Sequence, residues 1–511
     1  MTIQQAAGDA PRNLFDAITR RAARQPQSPA LILPGREMLD YRTLLERSAR
    51  IAHVLAAHGA RPGDRVMVQV EKSAEALCLY LACLQAGAVY VPLNNAYTAA
   101  ELAYFVADAN PKIFVCAPAA RETVAAVTGA HVLTLGDDGR QGSLLEECAG
   151  HAAEFPSAGV GMNHVAVIIY TSGTTGRSKG AMLSHANLWS NAEALRVFWR
   201  FTGNDVLLHA LPLFHVHGLF VAGNVSLLAG GAMILLPKFD VGEIFHWLPH
   251  ADVMMGVPTF YTRLLGDSRL TPEAARHVRL FTSGSAPLLA DTHRQWQART
   301  GHAILERYGM SEAGMIASNP FDGARVPGSV GYALPDVEVR VVARSGAPAP
   351  PGEVGMIEVR GPNVFQGYWQ MPDKIEAEFR EDGFFITGDL GTMEADGRLS
   401  IVGRGKDLII TGGLNVYPKE IESLIDAIPG VAESAVIGLP HADFGEGVTA
   451  VVVATDAGLT QAAVLAALAD RLARFKLPKR VLFRDGLPRN TMGKVQKNRL
   501  REEFRDLYQA G

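Results

Sequence analysis

The chain is poor in cysteine, with four in 511 residues: Cys78, Cys83, Cys116 and Cys148, all in the first third. None shows CxxC or metal-ligand spacing. That argues against a disulfide framework and for reduced, partly buried thiols in a cytosolic protein. The chain also lacks an excess of either charge. Lys and Arg total 48 against 52 Asp and Glu, a net of −4, which gives no bias toward nucleic acid or a membrane surface. Long apolar runs are missing too. The stretch 227–236 is broken by Gly230 and Gly231 and is too short to span a bilayer. The first eleven residues hold no apolar core of a signal peptide. Arg12, Arg20, Arg21 and Arg24 read as the polar side of a first helix, with Leu14, Phe15, Ile18 and Ala22 on its other face. What is present is ordinary for a globular protein: 48% hydrophobic and 20% charged residues, enough chain for about three compact units.

Strand and helix signals alternate to about residue 285. The stretch 65–70 reads as a strand, 73–85 as a helix and 88–93 as the next strand. Such alternation implies α/β architecture, parallel sheets covered by helices. Residues 137–160 are richer in glycine and polar residues and read as a surface connection. From 323 to 400 the character changes to short strands, many glycines and a proline-rich break at 347–352, which predicts a small β-rich subdomain. A new unit begins near 408, with strands near 408–410, 433–438 and 447–454. Its first helix opens on Pro418 and a second carries Val464, Leu468, Leu472 and Phe475. The expected division is 1–403 for a large N-terminal domain and 404–511 for a smaller, mobile α+β one.

One stretch orders the rest. An apolar run at 165–170 reads as a buried strand and leads into Thr171-Ser172-Gly173-Thr174-Thr175-Gly176-Arg177-Ser178-Lys179-Gly180. Glycines let backbone N–H groups converge, hydroxyls add donors, and Arg177 and Lys179 add charge, so the loop suits a polyphosphate. It is not a Walker loop, because no Lys-Ser or Lys-Thr follows a glycine at the required spacing. Leu211-Pro212-Leu213-Phe214-His215-Val216-His217-Gly218 places two histidines two apart, on one side of an extended segment. No cysteine or carboxylate cluster joins them, which disfavours a metal. Arg279 opens a strand that ends in the small-residue turn Ser283-Gly284-Ser285-Ala286-Pro287. It reads either as a surface or ion-paired residue or as a cation for a second substrate carboxylate, a strong and directional pair.

The order Ser-Gly-Thr-Thr-Gly-x-x-Lys-Gly resembles the phosphate loop of the acyl-adenylate-forming superfamily, which includes acyl-CoA synthetases, peptide-synthetase adenylation domains and luciferases. Further motifs follow in the superfamily's order over nearly the whole chain: Glu306-Arg307-Tyr308-Gly309-Met310-Ser311-Glu312, Phe385-Ile386-Thr387-Gly388-Asp389, Gly403-Arg404-Gly405-Lys406-Asp407, Gly412-Gly413-Leu414-Asn415 and Leu487-Pro488-Arg489-Asn490-Thr491-Met492-Gly493-Lys494. The resemblance implies that Thr171, Ser172, Gly173, Thr174, Thr175, Gly176 and Lys179 hold ATP phosphates. By the same resemblance Ser285, Ala286, Glu306, Tyr308 and Ser311 form the adenine side, with Tyr308 able to stack on the base. Asp389 and Arg404 contact ribose and phosphate, with Asp389 in a tight turn. Glu312 is the implied Mg²⁺ ligand, Lys406 the hinge, and Gly412 and Gly413 the coenzyme A side. Lys494 matches the catalytic lysine, whose ammonium offsets repulsion between an attacking carboxylate and the α-phosphate.

Within the superfamily, stretches such as LPLFHVHGLF and SGSAPLLADTHR resemble malonyl-CoA synthetases. That implies malonate, with methylmalonate as a second substrate, MgATP and coenzyme A, joined through a malonyl-adenylate, with His215 and Arg279 at the acid. A short- or medium-chain acyl-CoA synthetase is the alternative. An amino-acid adenylation domain would carry an aspartate where His215 stands, to bind the substrate ammonium. A luciferase-like oxygenase is called for by no feature, and a catalytically dead relative would be expected to lose Lys494 or Glu312. Related synthetases are switched off by lysine acetylation, so an acetyltransferase acting on Lys494 is an expected partner.

Overall fold

The computed structural model describes residues 10–35, 38–171, 178–412, 414–441, 443–469, 471–490 and 493–508. Among them, four sheets carry the fold. The first has six strands, ordered His131–Thr134, Ile113–Cys116, Arg65–Gln69, Val89–Pro92, Val165–Thr171 and Lys179–Ser184. All neighbours are parallel except the last pair, an antiparallel hairpin with Tyr170 opposite Gly180 and Thr171 opposite Lys179. Thr171 and Lys179, which flank the middle of the expected phosphate loop, lie on the two strands of that hairpin. Ser172, Gly173, Thr174, Thr175, Gly176 and Arg177 lie outside the described residues, as does Gly413.

The second sheet has nine strands. Val206–His209, Val253–Gly256, Leu280–Ser283 and Leu305–Met310 run parallel through its middle. The helix Ala74–Ala86 shows why the two sheets form one body. Ser73 caps its start by accepting from the Ala76 N–H, Gly87 ends it in the left-handed conformation, and every residue between is buried. A helix buried all round has no solvent face to offer. It joins residues of both sheets in one large core. The prediction of 73–85 is within a residue of this element. All four cysteines are buried and free.

The α/β expectation holds in outline, and the β-rich subdomain is present as the antiparallel sheet Glu338–Val342, Gly355–Arg360, Phe385–Met393 and Leu399–Arg404. The C-terminal part builds on a long hairpin, Val431–His441 with Gly445–Ala454. It packs Pro418–Ile425 and Gln461–Ala469 around its own core of Ile409, Val416, Ile421, Ile425, Val436, Val448 and Val464. Among the described residues no helix is long and apolar enough to cross a membrane.

Two local expectations are corrected. Asp389 is not in a tight turn but inside the strand Phe385–Met393, where Gly388 adopts a left-handed φ of 72° ahead of a register shift. The 211–218 segment is not extended throughout. From His217 it winds into a π-helix, His217–Gly223, whose wider turn shows at its end, where the Asn224 N–H reaches five residues back to the Leu219 carbonyl.

Candidate active site

The parallel strands of the larger sheet deliver the site at their C-terminal ends, as α/β sheets do. Strand Leu280–Ser283 runs into Gly284 and Ser285, and Ser285 holds a left-handed φ of 69°. A non-glycine residue there is strained unless its surroundings fix it. Its Oγ is 3.2 Å from Nδ1 of His217. The neighbouring strand Leu305–Met310 carries Glu306, Arg307, Tyr308 and Gly309 within it, so the Tyr-Gly motif is strand rather than turn. Alternation then sends Arg307 and Tyr308 to opposite faces.

On one face the Tyr308 hydroxyl donates to Oδ2 of Asp389 at 2.5 Å, and Arg404 Nε lies 2.9 Å from Oδ1 of the same carboxylate. Burial, and then the Asp389 charge, holds the Tyr308 phenol well above its usual pKa. Burial opposes the Arg404 charge, but Asp389 and Tyr308 outweigh it and its pKa is raised. Glu312 follows in the Ser311 turn. It is buried, and its Oε1 accepts from Thr171 Oγ1 at 3.3 Å and from Tyr368 OH at 3.1 Å. Burial raises its pKa. Lys179 is bound to Glu378 at 2.6 Å and lies over the Tyr368 ring.

Lys494 is brought from the C-terminal part into this cleft. Its backbone N–H donates to Asn490 Oδ1 at 2.9 Å. The adjoining Gly493 packs so closely on the helix Pro258–Leu265 that an added Cβ would sit 3.3 Å from Thr259. Solvent still reaches Lys494, although protein atoms crowd it on most sides. Burial lowers its pKa and Arg404 adds to that, while Asp389 restores part of the charge preference. The ammonium also reaches His215 electrostatically. Burial, then Arg307 and Lys494, push that imidazole down to about 4, so it is neutral near pH 7.

Arg307, on the other face, was not among the sequence candidates. It is 5% exposed, and its Nε and Nη2 have no partner among the described residues. Its guanidinium occupies the space a side chain at Gly284 would need: an added Cβ would fall 2.2 Å from Cζ. Burial pulls its pKa to about 9. Thr282 Oγ1, Ser283 Oγ and His217 Nε2 are also buried and unpartnered. A buried guanidinium with two nitrogens left without a partner among the described residues is the kind of exception that calls for an explanation, and a polar ligand would supply one.

Two sequence candidates sit elsewhere. Arg279 is corrected from acid ligand to structural residue. It precedes its strand, at the end away from the Ser285 turn, and each of its three nitrogens donates within the fold: Nε to Asp205 at 2.6 Å, Nη1 to the Trp199 carbonyl and Nη2 to the Arg200 carbonyl, both at 3.1 Å. Glu306 is committed to His293 at 3.2 Å and the Gly328 N–H at 3.1 Å. Lys406 is exposed in the short turn Gly405–Asp407, next to Asp407, which pairs with Arg501 at 2.5 Å. Gly412 has φ 55° and donates to the Phe444 carbonyl at 2.8 Å.

A second cluster has a metal-ligand composition. His58, His131 and Glu147 hold ligand atoms within 4.8 Å of one another. However, the two rings stack at 3.7 Å and 17°, which sends their in-plane lone pairs side by side rather than onto one ion, and His58 Nε2 is 2.6 Å from Glu147 Oε2. We read it as a hydrogen-bonded stack.

Residues 18–369 match the AMP-binding enzyme family, and residues 420–494 match the AMP-binding enzyme C-terminal domain. The chain belongs to the AMP-binding enzymes. This AMP-binding enzyme is 59% identical to ATP-bound MatB from Rhodopseudomonas palustris, covering 98% of this chain and 100% of that one with a TM-score of 0.96. It is 39% identical over 494 residues to a feruloyl-CoA synthase of an Amycolatopsis species, 95% of this chain and 98% of the other. A malonate–CoA ligase of Arabidopsis thaliana is 37% identical over 482 residues, 87% of this chain and 79% of that protein. As a member of the acyl-adenylate-forming superfamily, this AMP-binding enzyme is an AMP-forming acyl-CoA synthetase, a ligase.

Proposed function

We propose that the chain is a malonyl-CoA synthetase, converting malonate, ATP and coenzyme A to malonyl-CoA, AMP and pyrophosphate through a malonyl-adenylate, with methylmalonate a second substrate. The observation that carries the reading is Arg307. An unpaired buried cation costs several kcal/mol unless a ligand supplies its counter-charge. An acid with two carboxylates does this: one meets Lys494 and the α-phosphate, and the other meets Arg307. A ferulate-like acid would instead press an aromatic ring on the guanidinium and leave its in-plane donors unpaired. A fatty acid would leave the charge bare. The 59% identity to MatB and the malonate–CoA ligase relative support the same reading.

In the first half-reaction Lys494 bridges the attacking carboxylate and the α-phosphate, and the ribose hydroxyls fall to Asp389 with Arg404 beside it. Tyr308 and Ser311 border the nucleotide, with Ser285 and Ala286 closing its other side. Glu312 fits Mg²⁺: it is a buried carboxylate with hydroxyls of Thr171 and Tyr368 around it, the hard oxygen donors this ion takes. When bound, Mg²⁺ neutralises phosphate charge. The phosphate loop at 172–176 and Lys179 complete that end, with Lys179 leaving Glu378 for phosphate.

The division at 403/404 and the hinge at Lys406 belong to this proposal. Turning there withdraws Lys494 and brings the Gly412 hairpin toward the acyl group for attack by the thiol. That hairpin carries Ile410 and Leu414, 47% and 48% exposed, beside Phe444 at 40%, an apolar face suited to covering a channel. Solvent access to Lys494 also fits an acetyltransferase, and acetylation would remove the charge the first step needs.

The test is pyrophosphate release across malonate, methylmalonate, acetate, butyrate, ferulate and amino acids, with and without coenzyme A. Malonate should give the highest kcat/KM. A monocarboxylate used as well as malonate would defeat the reading.

A further inference from the structure

Behind the His215 loop lies a second buried amine that the proposed chemistry does not use. Lys72 stands just ahead of Ser73, at the mouth of the buried helix Ala74–Ala86. It is 7% exposed. Its Nζ is 2.7 Å from Nδ1 of His209 and 2.8 Å from the His209 carbonyl, and His209 Nε2 is 2.8 Å from the Gly218 carbonyl. The contacts fix the protons. A carbonyl only accepts, so Nε2 carries the hydrogen toward Gly218. Nδ1 is then bare and accepts from Lys72.

Two acceptors face the amine, Nδ1 and a carbonyl. A neutral –NH₂ has two N–H groups and satisfies both, so no carboxylate is needed beside it. Burial pushes the Lys72 amine well below its usual pKa. His209 is also held neutral, first by burial and then by Lys72. An amine serving only to fill space would be replaced at lower desolvation cost by methionine or leucine.

The chain from Lys72 ends on the acyl loop. Gly218 closes that loop: an added Cβ would lie 1.9 Å from the Pro212 carbonyl oxygen. Between Pro212 and Gly218 stand His215 and His217. Lys72 also lines a cavity of about 290 Å³ with Leu213 and Phe214 of this loop. Lys72 thus joins the six-stranded sheet to the loop carried by the nine-stranded one.

We propose that Lys72, acting through His209, is a positioning residue that holds the 211–218 loop, and with it His215 and His217, in the geometry that receives the acyl acid. The proposal rests on reading that loop as the acid site.

The experiment is malonate-dependent pyrophosphate–ATP exchange. Lys72→Met keeps the volume and removes both donors. Malonate KM is expected to rise about tenfold or more while ATP KM stays within about twofold, a split that general loss of structure would not give. His209→Leu should do the same, and the double variant should be no worse than the poorer single, since both break one chain of contacts. A second measurement needs no variant. ¹⁵N-histidine NMR of the wild type should show His209 as a fixed Nε2–H tautomer that does not titrate between about pH 6 and 9. An Nδ1–H tautomer, or titration in that range, overturns the proposal. So does a folded Lys72→Met whose malonate and ATP KM are unchanged or move together. If wild type shows no exchange with malonate, the substrate reading fails by itself, and the Lys72 comparison is then made with whichever acid supports exchange.

Discussion

Arg307 and Arg279 sit one on each side of the same question, since each was a cation that a second carboxylate would want. Position decided between them. Arg279 precedes its strand and faces Asp205, whereas Arg307 lies just past Glu306, where the next strand's parallel pairing ends, and faces Gly284. In parallel sheets the C-terminal ends of strands hold ligands. Arg307 was legible in principle, because it alternates with Tyr308, so one tyrosine assigned to the nucleotide puts the arginine on the acid's side. Its lack of a partner for Nε and Nη2 among the described residues was not legible, since that depends on what the surrounding elements leave unoffered. Replacing Arg307 with leucine should lower kcat/KM for malonate roughly 10²–10³-fold, the about 3–4 kcal/mol of a buried charge pair losing one member. Butyrate should be spared or improved, and thermal stability should not fall, because a desolvated charge goes with the side chain. Unchanged malonate kinetics would make Arg307 structural.

The segment from Val206 to Gly223 is the element on which acyl selection is proposed to rest. The Gly388-Asp389 motif reads as a tight turn, yet Asp389 lies in a strand, as Tyr308 does. Pairing overrode the local signal: Leu305–Met310 pairs with Gly314–Ser318, and Phe385–Met393 with strands on both sides. The π-helix had no signature in sequence. Two of its glycines differ in a way that tests it. At Gly218 an added Cβ would strike the Pro212 carbonyl at 1.9 Å, while at Gly223 the nearest atom is 3.6 Å away. Gly218→Ala should cost about 1–3 kcal/mol by overpacking and raise malonate KM. Gly223→Ala should be near neutral in urea unfolding. Equal effects of the two would mean that the neck at Pro212 is not the constraint.

For the whole molecule, two chemistries are assigned to one cleft and one moving part. Lys494→Ala should abolish pyrophosphate release while leaving thioester formation from supplied malonyl-adenylate. Equal loss of both half-reactions would refute the division of labour. Stability has its own pH signature. Burial keeps His185 and His215 down to about 4, and His209 and His217 well below the usual range. The unfolded chain binds protons at these groups near pH 6.5 and the native one does not, so stability is present above that pH and falls as pH drops toward 4. Asp426, raised to about 6 by burial, opposes with one group below that value. The net loss between about pH 6.5 and 5.5 is on the order of 3 kcal/mol. Urea titrations at the two pH values would read it, and a flat profile would mean that these imidazoles are charged in the native state. The strand Pro29–Ile32 has a different consequence, one of timing. It pairs with Ala232–Leu235, Leu31 opposite Met233. During synthesis at about 5–20 residues per second, its partner leaves the ribosome some 10–40 s later. For that interval an apolar strand waits with one edge open. The yield of folded enzyme should therefore depend on translation speed and on chaperones that shield nascent chains, even where the finished protein is stable.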